Sequence, residues 1–136
     1  MPNTDFKAHD GLLTVRQTSD QTQLRVALEG EMDLSNSGFA ESVLREALAS
    51  GRSLVVDLGK LEFVDSTGIA MLIRAIADSD EGRLSFLPSE HEAVRRLFSL
   101  TGLDERMPFA ADKEIPRPVE GSAALAKDAE PLLRAS

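Results

Sequence analysis

Asp65-Ser66-Thr67-Gly68 is the group in this chain best placed to do chemistry. An acid, two hydroxyls and a glycine stand where one hydrophobic pattern gives way to another. Upstream, Ser53-Leu54-Val55-Val56-Asp57-Leu58 reads as an apolar strand, followed by a short turn. Downstream, apolar residues recur at helical spacing. A helix start presents unpaired backbone N–H groups and a partial positive charge. A serine hydroxyl there has two uses. It caps the helix, or, once phosphorylated, it becomes a group of charge about −1.5 to −2 on an exposed edge. Asp65 suits the same helix start electrostatically. This points to a phospho-switch with no catalytic centre of its own.

Other chemistry is poorly supported. Glu29, Glu31 and Asp33 fall on one side of a strand, but no histidine lies nearby and the spacing is not diagnostic of a metal site. A weak magnesium contact during phosphoryl transfer is the alternative; no resident metal or cofactor is expected. Asp33 otherwise reads as a plain loop acid before a helix. The two histidines, His9 and His91, supply no obvious base for Ser66, so a serine triad is not expected. The glycines form neither a phosphate-binding loop nor a dinucleotide fingerprint. Arg95-Arg96 reads as a solvated helix face.

Strand and helix patterns alternate around the motif. Leu12–Gln17 and Leu24–Leu28 have strand spacing, with Ser19-Asp20-Gln21 as the turn of an antiparallel pair. Serine and asparagine before Phe39, Val43, Leu44, Ala47 and Leu48 predict a helix that ends at Ser50-Gly51. Leu54–Leu58, apolar on both faces, predicts a central parallel strand. A second helix begins at Ser66 or Thr67 and runs to about Ala77. Arg83–Leu87 is a strand, and a third helix after Pro88-Ser89 turns Val94, Leu97 and Phe98 inward. Met107–Phe109 is a candidate last strand. The fold class is α/β: a single domain with a small mixed sheet, its first strand antiparallel and the rest largely parallel, flanked by helices. The expected boundaries are an N-terminal segment 1–10, the domain 11–110 and a partly ordered tail 111–136 interrupted by Pro116, Pro118 and Pro131.

At about 100° per residue, Ile69, Leu72, Ile73 and Ile76 share one face of the second helix and should enter the core. Thr67, Met71, Arg74 and Asp78 share the opposite face, with Ser66 near the boundary at the exposed end. Met71 either serves a binding surface, as adaptable methionines do, or packs under a neighbouring loop. Gly68 removes a side chain beside the hydroxyls and so lets another backbone come close.

The 136 residues are 42% hydrophobic and 28% charged, which is ordinary for a globular domain. Without cysteine, disulfides and thiolate chemistry are excluded. A formal charge of −8 disfavours nucleic acid and anionic membranes and favours a basic protein surface. No apolar stretch is long enough to span a bilayer, and Met1–Asp5 lacks the pattern of a signal peptide. A cytoplasmic monomer is expected.

Three segments together resemble a known family: Leu28-Glu29-Gly30-Glu31-Met32-Asp33; Leu54–Leu58 leading to Phe63-Val64-Asp65-Ser66-Thr67-Gly68; and Val94–Leu103. In this order they resemble the STAS domain, in particular the bacterial anti-sigma factor antagonists, over about residues 11 to 110. The resemblance implies that Ser66 is phosphorylated by an anti-sigma factor that is a serine kinase, that Thr67 is the second hydroxyl and that Asp33 lies beside the phosphosite. It implies partner switching: the unphosphorylated protein binds the kinase, the phosphorylated protein releases it, and a metal-dependent serine phosphatase restores the first state. The partner surface would comprise Asp33, Asp65, Ser66, Thr67, Gly68, Met71 and Arg74. Ala70 stands where many antagonists have a second glycine, and the tail departs from the family's regular terminal helix. The stretch from Val64 to Leu72 also resembles a second group, the cytoplasmic STAS subunits that brace the ATPase of phospholipid-transporting ABC complexes.

Overall fold

The computed structural model describes residues 4–19, 21–80 and 82–110, with Thr4 and Asp5 as backbone only. In chain order the elements are β1 (Thr4–Asp10), β2 (Leu13–Ser19), β3 (Gln23–Met32), α1 (Ser37–Ala49), β4 (Ser53–Asp57), β5 (Leu61–Val64), α2 (Ser66–Asp78), β6 (Leu84–Leu87) and α3 (Glu92–Leu100). A short 3-10 turn follows at Leu103–Glu105.

Strict alternation in β3 organises the sheet. Leu24, Val26 and Leu28 are buried, while Arg25, Ala27 and Glu29 between them are half-buried, so one face of the strand meets the core. β2 pairs antiparallel along one edge of β3. The other edge is long enough for two parallel partners in succession: β4 opposite Gln23–Ala27 and β5 opposite Gly30–Met32. β6 extends the sheet beyond β4, giving the order β1-β2-β3-β4-β6 with β5 beside β3. The result is the mixed α/β sheet expected from the sequence. All three helices send side chains into one apolar cluster with the sheet, among them Leu44, Leu72 and Phe98. Ion pairs Arg16–Glu29 and Arg25–Asp57 (3.2 and 2.7 Å) lie on the opposite face, with Arg16 exposed and the other three half-buried.

Two strands escape the hydrophobic pattern. Residues 1–10 were expected to lie outside the domain, yet β1 pairs with β2 from Thr4↔Ser19 to Asp10↔Leu13. Its sequence, Thr-Asp-Phe-Lys-Ala-His-Asp, has only two apolar residues, so ladder hydrogen bonds rather than burial hold it. β5 is hidden for another reason. Leu61 and Val64 are buried and Glu62 and Phe63 are exposed, because a bulge breaks the register against Gly30 and Glu31. Met107–Phe109 contributes a single parallel bridge, Phe86↔Phe109, rather than a strand. The tail 111–136 and Asp20 of the expected turn lie outside the described residues.

Gly30 stands at the change of partner. Its φ is 101°, and a Cβ there would collide with the carbonyl oxygen of Leu12. Its N–H donates to the Lys60 carbonyl (2.9 Å), while the next N–H, of Glu31, donates back to Leu12 (3.0 Å). Consecutive amides thus face opposite neighbours, as in any strand paired on both edges, and the register irregularity shows instead in β5, where Glu62 is skipped between Gly30↔Leu61 and Glu31↔Phe63. Gly30→Ala is expected to cost roughly 2–4 kcal/mol through the left-handed backbone and the collision together. Urea unfolding at 25 °C checks this; a loss below about 1 kcal/mol would contradict it.

Candidate functional site

The C-terminal ends of β3 and β5 lie side by side, Met32 opposite Val64, and deliver two loops to one place. Asp65 follows β5 and is the N-cap of α2, with extended backbone (φ −101°, ψ −173°). Its Oδ1 accepts from the N–H groups of Thr67 (2.9 Å) and Gly68 (3.1 Å) and from the Thr67 hydroxyl (2.5 Å). Its Oδ2 accepts from the N–H of Leu34 in the β3–α1 loop (3.1 Å). One carboxylate thereby joins the start of α2 to the loop after β3. The Thr67 hydroxyl holds its pKa below the usual aspartate value; partial burial pushes the other way, and the Gly68, Thr67 and Leu34 amides add to the lowering.

Ser66 is therefore the first helical residue, with the cap supplied by Asp65. Its side chain is exposed and its hydroxyl makes no hydrogen bond among the described residues. Of the two uses open to it in the sequence, capping is already filled. Thr67 differs, since its hydroxyl is engaged by Asp65.

Asp33 lies one peptide from the Asp65 contact. Its carboxylate accepts from the Ser35 N–H (2.9 Å) and hydroxyl (2.6 Å), and its carbonyl accepts from the N–H groups of Asn36 and Ser37. Asn36 was expected only to help start α1. It caps nothing with its side chain; it is fully buried, and Oδ1 accepts from the Asp33 N–H (2.9 Å). Its Nδ2 donates to the carbonyls of Glu31 (3.0 Å) and Asp10 (3.3 Å). The spacing Asp33-x-x-Asn36 was the available signal, because asparagine readily closes local turns. Leu34, whose amide completes the junction, was missed altogether.

Two expected surface residues are inside. Met71 is fully buried in the core cluster rather than on an outer face. Ile73 and Ile76 are only partly buried, so the buried stripe of α2 runs through Gly68, Ile69, Met71, Leu72 and Ala75. The helix is rotated from the expected placement because α1 packs against it on one side and the sheet on the other. Gly68 is buried too. A Cβ there would stand 2.5 Å from Val64 Cγ2 and 3.0 Å from Met32 Cε, so the missing side chain serves close packing against the strand ends. Arg74 is exposed, and its guanidinium grips Glu41 of α1 with two hydrogen bonds (2.9 and 2.8 Å). Arg45 also donates to Glu41 (3.0 Å). The Arg74 and Arg45 pairings hold the Glu41 carboxyl below its usual pKa, Arg74 foremost, against partial burial.

No group of three or more histidine, cysteine, aspartate or glutamate side chains among the described residues is arranged to hold a metal ion. No helix among them is long and apolar enough to cross a membrane. His9 shares a hydrogen bond with Thr14 (2.9 Å), and exposed His91 precedes α3 as its N-cap residue.

Two outcomes follow. Asp65→Asn keeps an oxygen for the α2 amides but turns an N–H₂ toward the Leu34 amide, a donor facing a donor. We expect a loss of about 1 kcal/mol at pH 7. Because the folded pKa is lowered, the carboxylate's contribution is fully present above the unfolded value of about 3.9 and disappears as pH falls through the folded value. The gap between wild type and Asp65→Asn in urea titrations should therefore narrow below about pH 4, whereas a constant gap would refute the assignment. Met71→Ala should cost about 2–5 kcal/mol as a core truncation, a magnitude that an exposed methionine would not produce in the same titration.

The fold has known relatives. A family model described as "Mlab, STAS domain" matches residues 14–110. Among solved structures, the chain is similar to an anti-sigma factor antagonist from Mycobacterium paratuberculosis, with TM-score 0.63 and 22% identity over 83% of this chain and 90% of that one. It is also similar to SpoIIAA, a Bacillus cell fate determinant, in its phosphorylated form (TM-score 0.52, 18% identity, 82% and 95% of the two chains). The unphosphorylated form of the anti-sigma factor antagonist SpoIIAA gives 0.54 and 16%, over 93% and 97%. At these identities the structural likeness concerns the fold, while the family match runs from β2 to the end of the described residues. The chain belongs to the STAS domain family.

Proposed function

We propose that this protein is an anti-sigma factor antagonist switched at Ser66. It binds a serine-kinase anti-sigma factor in the cytoplasm when Ser66 is unmodified, lets it go once the kinase phosphorylates Ser66, and is reset by a metal-dependent serine phosphatase. It carries no catalytic centre of its own and works as a monomer. The observation that carries this reading is the exposed Ser66 hydroxyl at the first position of α2, left without a partner among the described residues because Asp65 caps the helix. The likeness in fold to antagonists from two sources supports it.

The electrostatics support the same reading. A phosphate on Ser66 adds about −1.5 to −2 charge next to Asp65 and near Asp33. In the free protein, water and the α2 N-terminus accommodate that charge. In a dehydrated interface it faces two carboxylates and loses its hydration, which opposes binding. A few kcal/mol of such opposition moves affinity by orders of magnitude, so no large refolding is required. Thr67 and Asp65 contribute by shaping the helix start, and Asp33 by its charge at the adjoining loop. Met71 and Gly68, being buried, act only through packing.

A second reading is favoured by one observation: the matching family model is the Mlab STAS domain and not an antagonist. Under it the chain is a cytoplasmic STAS subunit bracing the ATPase of a phospholipid-transporting ABC complex, with Ser66 as a docking contact. The two readings separate in one assay. The purified chain is incubated with serine-kinase anti-sigma factors and ATP, and phosphate is mapped by mass spectrometry. Phosphate on Ser66, absent in Ser66→Ala, is expected; copurification with a transporter ATPase without phosphotransfer would favour the second reading. In calorimetry Ser66→Ala should hold the kinase and Ser66→Asp should bind it at least about tenfold more weakly. Equal affinities would contradict the switch.

A further inference from the structure

Six large apolar side chains are exposed among the described residues, and three of them gather at the end of the sheet that carries Ser66. Leu34 is 76% exposed, Leu12 66% and Phe63 48%. They are brought together by contacts already in the fold. The Leu34 amide is bound to Asp65, immediately before Ser66. The Leu12 carbonyl accepts from the Glu31 amide, and Phe63 is the register partner of Glu31. The Gly11 backbone abuts the Ser35–Asn36 loop: a Cβ on it would stand 3.7 Å from Ser35 Oγ. Leu34 is the most exposed of the three, and its backbone is held rather than loose. One exposed leucine is ordinary, but several exposed apolar side chains grouped at one end of the sheet and rimmed by charged residues mark an interaction surface.

Charge selects the partner. Asp33 adjoins Leu34 and Glu62 adjoins Phe63 in sequence, Asp10 lies two residues before Leu12, Glu31 is the strand partner of Phe63, and none of the four takes part in an ion pair among the described residues. Lys60 is the one cation in the same loops. A second copy of this chain would bring carboxylates against carboxylates, and an anionic membrane would be repelled likewise.

We infer that Leu34, flanked by Leu12 and Phe63, is the apolar anchor of the kinase-binding surface and inserts into an apolar pocket rimmed by arginine and lysine on that kinase. This deepens the proposed function and rests on it. The anchor supplies burial; the acidic surround supplies steering and orientation. It also places the bulk of the affinity beside Ser66, where a phosphate would hold the two surfaces apart.

The test uses the full chain and the kinase that transfers phosphate to Ser66. Leu34→Ser is compared with Leu100→Ser, which removes an equally exposed leucine (78%) at the end of α3. Thermal melts first establish that both variants fold as the wild type does, since neither side chain is buried. Calorimetry should then show Leu34→Ser binding the kinase about tenfold or more weakly, with Leu100→Ser unchanged and wild-type affinity falling as salt rises. Binding of Leu34→Ser within about twofold of wild type, while Ser66 is still phosphorylated, overturns the anchor and leaves the switch standing. An equal loss in Leu100→Ser overturns it as well, by showing nonspecific adhesion. Absence of both binding and phosphotransfer in the wild type overturns the anchor together with the proposed function.

Discussion

The Asp65 carboxylate has two oxygens and gives each to a different part of the chain. One satisfies the amides that every helix leaves unpaired at its start. The other reaches across to the loop after β3, through the Leu34 amide. Without that division the α2 N-terminus would need its cap from Ser66 or Thr67, and the β3–α1 loop would lose its tie to the motif. With it, Ser66 is left exposed on a rigid platform, and Leu34 is fixed next to it. Asn36 completes the arrangement from below by joining Asp33, Glu31 and Asp10 around a buried amide.

That platform is as firm as the packing beneath it. Gly68 lets the first turn of α2 settle on Val64 and Met32, and any larger residue must displace them. Met71 fills the core one turn further along. Gly30 stands at the register shift of the β3–β5 pairing and lets the Leu12 carbonyl come close, beside the place where the two strand ends meet. These residues sit within or beside the motif, yet they work by shape. The polar chemistry is concentrated in Asp65 and Ser66, and the proposed recognition surface lies in exposed side chains of three neighbouring loops and a short edge strand.

Charge and shape would then divide the labour of the proposed regulatory contact. An acidic domain attracts a basic partner over a distance of about a Debye length, while exposed leucine and phenylalanine contribute only after close approach. In the proposed switch, a phosphate on Ser66 would let one covalent change act on both. The Arg74–Glu41–Arg45 cluster, by contrast, is a surface network between α1 and α2, with exposed arginines on a half-buried Glu41. Surface pairs of this kind contribute about 0–1 kcal/mol each, so the cluster adds little to what packing already supplies between the two helices.

Local pattern was enough to recover most of the architecture. Alternation marked β2 and β3, the apolar run marked β4, and the 3.6-residue period with polar starts marked α1, α2 and α3. The Asp-Ser-Thr-Gly run marked the candidate site, because helix starts are signalled by the residue types of neighbours in sequence. What could not be read was whatever depends on residues far apart in the chain. β1 is held by pairing and not by its own hydrophobicity; β5 has its alternation broken by a bulge. The rotation of α2, which buries Met71 and leaves Ile73 and Ile76 partly exposed, is decided by α1 and the sheet pressing on it from two sides. The bond from Leu34 to Asp65 spans 31 positions, and no periodicity encodes a contact between two irregular loops. Sequence thus named the acid and the hydroxyl, and tertiary packing decided which of them caps the helix and which faces the solvent.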